Sequence, residues 1–226
     1  MLYRLTWPLM KTFMRCVFAY LGGFERLGLE NVPRSGGVLF CPNHVSDADP
    51  PAMAVALPRS AWFMAKEELF SIPILGRLVR LWHGFPVRRD SADRAALRQA
   101  ETLLKAGEAV VIFPEGGGNP HGVLQPLYTG ALLVALRCNV PVIPVALTNT
   151  STVWPYAAPY PRRARVAVRV RFGAPLDLSD LKGKRGAVDA ATRRLTETLA
   201  AMLEQPVPEG KPISHAPESG HSEPGS

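Results

Sequence analysis

His44 and Asp49 are the side chains whose types and spacing best suit moving a proton. They lie in the run Asn43-His44-Val45-Ser46-Asp47-Ala48-Asp49. The run directly follows an apolar segment that reads as a buried strand, the position where α/β proteins build their sites. In a helix this spacing would splay the pair, but a tight loop entering Pro50-Pro51 can fold the carboxylate back onto the imidazole. A carboxylate on one ring nitrogen fixes the tautomer and stabilises the imidazolium, which leaves the other nitrogen to take a proton. The plainer reading of the same residues is a satisfied turn histidine and an aspartate capping the next helix. Ser46 has no base of its own once His44 is committed, and no GxSxG elbow occurs, so a serine nucleophile is not expected.

Three further clusters follow in order. Gly84-Phe85-Pro86-Val87-Arg88-Arg89 ends a short strand with adjacent cations. Phe113-Pro114-Glu115-Gly116-Gly117-Gly118-Asn119 ends the most apolar strand with a carboxylate and a glycine run, and Val140-Pro141-Val142-Ile143-Pro144 opens the next strand. Singly these are ordinary, since glycine runs are usually turns and an Arg pair is usually a solvated face. Together, in this order, they resemble the glycerophospholipid (PlsC-type) acyltransferase family, whose pattern is NHxSxxD, GxxxxR, FPEGTR(S) and VPxxP. Gly28-Leu29-Glu30-Asn31-Val32-Pro33 and Ala65-Lys66-Glu67-Glu68-Leu69-Phe70 are similar to the family's flanking segments, so the resemblance runs from about Leu27 to Phe172.

The resemblance implies one direct acyl transfer from acyl-CoA or acyl carrier protein to the free hydroxyl of a lysophospholipid. The first candidate acceptor is 1-acyl-sn-glycerol-3-phosphate, giving phosphatidic acid. His44 and Asp49 are the implied catalytic pair. The glycerol phosphate falls to Arg89 and the Glu115-Gly116 turn, with Lys66 a further phosphate contact and amides near Gly116 facing the oxyanion. Asn43, Ser46, Gly84, Arg88, Phe113, Pro114 and Gly117 complete the implied substrate-binding set. The thioester is a co-substrate, and no cofactor or metal is implied. Two departures stand out: Gly117-Gly118 replaces the family's Thr-Arg, and Thr129 replaces a Lys before Gly130. Either the glycine turn binds phosphate through its own amides, helped by Lys66, Arg88 and Arg89, or the acceptor is a different lysolipid or another lipid hydroxyl. A lipid-binding protein without catalysis is the remaining reading.

The elements that must hold these residues follow from the hydrophobic pattern. At 226 residues and 47% hydrophobic, the chain suits one folded domain and excludes a disordered or collagen-like one. Its net charge is +7, with 26 Lys and Arg against 19 Asp and Glu. Such a body expects an anionic partner. The arginines Arg162, Arg163, Arg165, Arg169 and Arg171 are not interleaved with aromatics and no nucleic-acid motif is legible, so nucleic acid is not the expected partner. Cys16, Cys41 and Cys138 are odd in number and widely spaced. They read as small buried residues of a reducing compartment, not as a disulfide framework or zinc site.

Strands are expected at Val38 to Cys41, Ala61 to Ala65, Phe85 to Val87, Ala109 to Phe113, Val142 to Leu147 and Arg165 to Phe172. In the last, Val166, Val168, Val170 and Phe172 alternate with Arg165, Ala167, Arg169 and Arg171. Helices are expected at Ala52 to Leu57, brokenly over Glu67 to Leu81, and at Ser91 to Ala106, Leu132 to Leu136 and Asp189 to Leu203. Strands alternating with helices give an α/β class: a central, largely parallel or mixed sheet covered by helices. Residues 1–26 are read as an N-terminal helical segment that associates with membranes. Residues 27–203 are read as the acyltransferase domain and 204–226 as a disordered tail.

In the first helix, which Pro8 places from about the eighth residue onward, Arg4, Lys11 and Arg15 share one side. Leu5, Leu9, Phe13, Cys16, Val17 and Tyr20 lie opposite. That pattern suits a helix lying in an anionic interface. With charges this frequent, no segment reads as a span or a secretory signal. A peripheral protein on the cytoplasmic face of the cell membrane is expected.

Overall fold

Val38–Pro42 and Ala109–Val111 are buried at every residue, which marks strands covered by helices on both faces. They lie at the centre of the sheet in a computed structural model that describes residues 2–88, 93–119, 121–181 and 183–210, with side chains from residue 6 onward. In chain order the elements begin α1 (Leu2–Leu21), β1 (Phe24–Leu27), β2 (Val38–Pro42), α2 (Asp49–Ala56), β3 (Trp62–Lys66), α3 (Leu75–Leu81) and β4 (Gly84–Val87). They continue with α4 (Arg94–Lys105), β5 (Ala109–Val111), α5 (Gly130–Cys138), β6 (Val142–Thr148), the single turn α6 (Thr150–Val153), β7 (Val168–Phe172) and α7 (Ala187–Leu203).

Among the described residues these strands form one sheet in the order β1-β7-β6-β2-β5-β3-β4. Every pairing is parallel except β6 with β7, so the expected largely parallel, mixed sheet is what forms. Alternate side chains feed two cores. Phe40, Val111, Val145 and Val170 pack with Met53 of α2 and Phe18 of α1 on one face. Leu39, Cys41 and Val110 pack with Leu104, Leu132 and Leu195 of α4, α5 and α7 on the other.

Several boundaries differ from the sequence reading, each for a local reason. β7 begins at Val168 and its buried residues are Val168, Val170 and Phe172. Val166 is exposed because the ladder with β6 starts only at Arg169 opposite Thr148. α4 begins at Arg94 with Asp93 as its N-cap: the Asp93 Oδ1 accepts Ala95 N–H and Ala96 N–H at 3.0 Å each. β1 straddles the expected boundary at residue 26, so the N-terminal segment enters the same sheet as the rest. Gln205, expected in the tail, is tied down: its Oε1 accepts Leu124 N–H at 2.7 Å and its Nε2 donates to Gly122 O at 3.1 Å. The rest of the tail, residues 211–226, lies outside the described residues, as do Arg89 and Ser91.

α1 is helical from Leu2, with Pro8 inside it. It presents three faces where two are expected. Trp7, Met10, Phe18 and Leu21 are buried against the domain, and α1 packs on α2. Leu9, Phe13, Cys16 and Tyr20 are exposed, so Cys16 is not the small buried residue expected of it. Cys41 is buried, and desolvation pushes its thiol pKa up. Lys11 is half-buried and donates to Leu57 O, which removes it from the free basic stripe. Desolvation, and after it the nearby Arg26 and Arg15, lower its pKa.

Candidate active site

β2 ends at Pro42, and the next residue continues its pairing with a side chain. Asn43 Nδ2 donates to Leu147 O at 3.1 Å, and Leu147 N–H donates to Asn43 Oδ1 at 2.7 Å. The amide thus stands in for one more strand residue against β6, and His44 leaves the sheet edge from a fixed point. Asn43 is 2% exposed and both ends of its amide are spent on backbone. The expected substrate contact is therefore replaced by a positioning role.

Asp49 is the first residue of α2 and wholly buried. Its Oδ2 lies 3.0 Å from His44 Nδ1 and accepts the N–H groups of Val45 at 2.7 Å and Ser46 at 2.8 Å. The loop therefore wraps around one carboxylate oxygen, and that oxygen faces the imidazole. With Nδ1–H donating to Asp49, the ring's lone pair is on Nε2, which has no protein partner among the described residues. The ring is tilted over Phe113 with centroids 4.3 Å apart, so Phe113 walls one face of the imidazole. Both expected catalytic residues are brought together.

The segment after β5 grips His44 from both sides. Glu115 Oε1 accepts the His44 N–H at 2.6 Å and its Oε2 accepts the Gln125 N–H at 3.0 Å. Asn119 N–H donates to His44 O at 3.0 Å. Glu115 is 3% exposed, and burial pushes its carboxyl up to about 8, against the pull of those two backbone donors. It faces backbone, so the expected contact between Glu115 and glycerol phosphate is not what the geometry offers. Pro114 is buried and its carbonyl accepts Tyr128 N–H at 2.8 Å. The Gly116 N–H donates to Phe113 O at 3.1 Å and is not free for an oxyanion. The N–H groups of Gly117 and Gly118, both buried residues, find no protein acceptor among the described residues.

The remaining expected residues divide by place. Ser46 is fully buried: its Oγ accepts Ala48 N–H at 2.9 Å and donates to Trp154 O, so it fastens one loop to another. Lys66 closes β3 level with Val87. It stands at the same end of the sheet as His44, half-buried and without an ion pair among the described residues. Arg88 follows Val87 on the edge strand, three strands away from β2. At ~4.8 Å per strand that is about 14 Å. Its Nε lies 3.9 Å from Glu67 Oε2 and 4.0 Å from Asp93 Oδ2.

Gly84 is at the wrong end. It pairs with Phe63, which is level with Val111 and, through it, with Phe40. That register puts Gly84 well below the level of His44. A β-carbon on Gly84 would meet Val79 Cγ1 at 2.3 Å and Val79 O at 2.8 Å, so close packing of α3 explains the glycine. Thr129 heads α5 without a side-chain cap bond. Asp47 and the segment 154–157 escape the sequence reading: Asp47 Oδ2 accepts Ala157 N–H at 2.9 Å, and Ser46 bridges Pro155. No local signal joins residues so far apart in the chain. Among the described residues no group of His, Cys, Asp and Glu could hold a metal ion.

The chain is similar to known proteins over most of its length. A model of the Acyltransferase family matches residues 24–148. A 1-acyl-sn-glycerol-3-phosphate acyltransferase of Bacillus subtilis is 31% identical over 140 residues, 62% of this chain and 69% of that protein. A chloroplastic 1-acyl-sn-glycerol-3-phosphate acyltransferase of Brassica napus is 33% identical over 131 residues, 57% of this chain but only 38% of that protein. Among solved structures, the 1-acyl-sn-glycerophosphate acyltransferase of Thermotoga maritima superposes with a TM-score of 0.74 at 23% identity. The match covers 89% of this chain and 80% of that one, which shows a shared fold.

Proposed function

This chain belongs to the Acyltransferase family, and from that premise we propose that it moves a fatty acyl group from acyl-CoA or acyl carrier protein to the free hydroxyl of a lysophospholipid. The acceptor is 1-acyl-sn-glycerol-3-phosphate, the substrate class in the names of its relatives, and the product is phosphatidic acid. The observation that carries the reading is the His44 Nδ1–Asp49 Oδ2 contact of 3.0 Å, which leaves Nε2 as the base.

Nε2 takes the proton of the lipid hydroxyl as its oxygen bonds to the thioester carbonyl carbon. Asp49 balances the imidazolium that forms. Collapse of the tetrahedral adduct breaks the carbon–sulfur bond, and the departing sulfur receives the proton from Nε2. Diacyl lipid and free thiol leave, and no acyl group is ever held on the protein.

A second reading, another lysolipid or lipid hydroxyl as acceptor, draws on the absence of cations at Gly118 and Thr129. For location, the exposed Leu9, Phe13 and Tyr20 support docking of α1 at the cytoplasmic face of a membrane. Among the described residues no helix is long and apolar enough to cross a membrane.

The deciding experiment offers a labelled acyl thioester with a panel of lysolipids to wild type and His44→Ala. Transfer to 1-acyl-sn-glycerol-3-phosphate is expected, falling by roughly 10²–10⁴-fold in the variant. Transfer by wild type only to other lysolipids would establish the second reading. No transfer to any of them would leave a lipid-binding protein.

A further inference from the structure

Gly118 is a glycine for a reason its own backbone does not supply. Gly116, two positions earlier, has φ of 75° and needs glycine by conformation. Gly118 has no positive φ. A β-carbon there would instead meet Tyr156 Cε2 at 2.0 Å and Cδ2 at 2.3 Å. The ring lies directly on the Gly118 Cα.

The segment carrying that ring is fastened to the catalytic loop at successive residues. Ser46 Oγ donates to Trp154 O, Pro155 bridges Ser46, and Ala157 N–H donates to Asp47 Oδ2 at 2.9 Å. Tyr156 is thus anchored on the His44 side and reaches across to the turn after β5. That turn is itself joined to His44 by the Asn119 N–H.

What the ring covers is a set of donors. Among the described residues the N–H groups of the buried Gly117 and Gly118 have no protein acceptor, a rare and costly state for buried backbone. Consecutive amides in a glycine turn form a concavity suited to an anion. The Tyr156 hydroxyl likewise makes no hydrogen bond among the described residues, and the ring carbon that bears it is 3.1 Å from the point a Gly118 β-carbon would take. A glycerol hydroxyl at His44 Nε2 has its phosphate on the neighbouring carbon, and the turn is joined to His44 by the Asn119 N–H at 3.0 Å.

We propose that Tyr156 selects the acceptor head group. Its ring fills the space over Gly118, so that only a compact head group enters, and its hydroxyl joins the Gly117 and Gly118 amides in binding a phosphomonoester. The proposal rests on the acyl-transfer reading. It explains how an anion is held where Gly118 offers no cation, and why an arginine cannot be placed at 118 while Tyr156 remains.

The test compares short-chain 1-acyl-sn-glycerol-3-phosphate with the matching lysophosphatidylcholine. Initial rates and calorimetric binding are both measured, for wild type, Tyr156→Ala and Tyr156→Phe. Removing the ring should raise the choline-to-phosphate ratio of kcat/KM, and of affinity, by about tenfold or more. Tyr156→Phe keeps the ring, so it should keep the size preference while raising KM for the phosphomonoester several-fold at near-constant kcat. Unchanged ratios in Tyr156→Ala overturn the proposal. If wild type transfers no acyl group, the acyl-transfer reading fails separately, and the affinity ratios still decide the role of Tyr156.

Discussion

The Glu115 carboxylate accepts the backbone N–H of His44 at 2.6 Å while its other oxygen takes the N–H of Gln125 at 3.0 Å. A buried acid thereby ties the His44 loop to the turn after β5, and it does so through main chain. The geometry gives the acid of the glycine turn a structural task.

Glu115 should make stability depend on pH in a definite direction. Its ordinary value is 4.5, and burial raises it to about 8 in the fold. Between those values the folded state holds a proton that the unfolded state has lost. Its contribution is therefore fully present below about pH 4.5 and is lost as pH rises through about 8. Urea midpoints should fall from about pH 5 to about pH 9 in wild type, with a flatter profile in Glu115→Gln. Parallel profiles would remove Glu115 from the account.

Asp49→Asn should separate charge from shape. An asparagine oxygen can still accept from His44, Val45 and Ser46, which all converge on Oδ2. Asp49 Oδ1 has no partner among the described residues, so the amide nitrogen displaces no existing bond. The loop should keep its form while the imidazolium loses its counter-charge, and kcat should drop by roughly 10²–10⁴-fold, as in other carboxylate-supported histidine bases. Circular dichroism and the melting temperature should stay close to wild type. Near-normal turnover would rule out the pair as base and support.

Asn43→Ala should be costly in a different currency. It strips partners from the N–H and C=O of Leu147 at a position only 2% exposed. Each buried orphan costs about 1–3 kcal/mol, so denaturant unfolding should show a loss of about 2–5 kcal/mol. Turnover should fall as well, because His44 is the next residue along the chain. A loss below about 1 kcal/mol would mean that water replaces the amide.

The contact of His44 with Asp49 is legible in the sequence because both belong to one short loop between a strand and a helix, where local chemistry decides the fold. The central strands are legible for a similar reason: continuous apolar runs such as Ala109–Val111 have nowhere else to go. β1 is not, since Phe24–Leu27 is an edge strand with mostly exposed residues and no alternation to read. Motif order names the loops but not the end of the strand a residue occupies, which is why Gly84 reads as a substrate contact and turns out to be packed under Val79. The role of Tyr156 is hidden for the plainest reason. Its neighbour Ala157 meets Asp47 across 110 positions of chain, and only the finished sheet brings them together.

Gly84→Ala tests that relocation. The new methyl would press on the Val79 carbonyl, which is backbone and cannot rotate away. Overpacking of this kind costs typically about 1–3 kcal/mol. The variant should melt several degrees lower, while the folded enzyme keeps wild-type KM for both substrates. A selective rise in acceptor KM would return Gly84 to the binding site.

The outer face of α1 gives the last prediction. Leu9 is 70% exposed and Phe13 66%, while Trp7 and Met10, on another face of the same helix, are 8% exposed each. The helix is therefore held to the domain by one stripe and turns a second apolar stripe outward. Changing Leu9 and Phe13 to Gln spares the packed face, and Tyr20 is best left alone because Arg163 lies 5.0 Å over its ring. Burying such a side chain in an apolar phase contributes about 1.5–3 kcal/mol when complete. Even partial insertion of both makes their loss worth at least about tenfold in partition onto vesicles containing anionic lipid. The melting temperature of the free protein should not move, since neither side chain enters the core. Raising the salt should weaken binding further if exposed cations such as Arg15 and Arg163 also face the lipid. If the double variant sediments with vesicles as fully as wild type, the outward stripe of α1 is not the docking face.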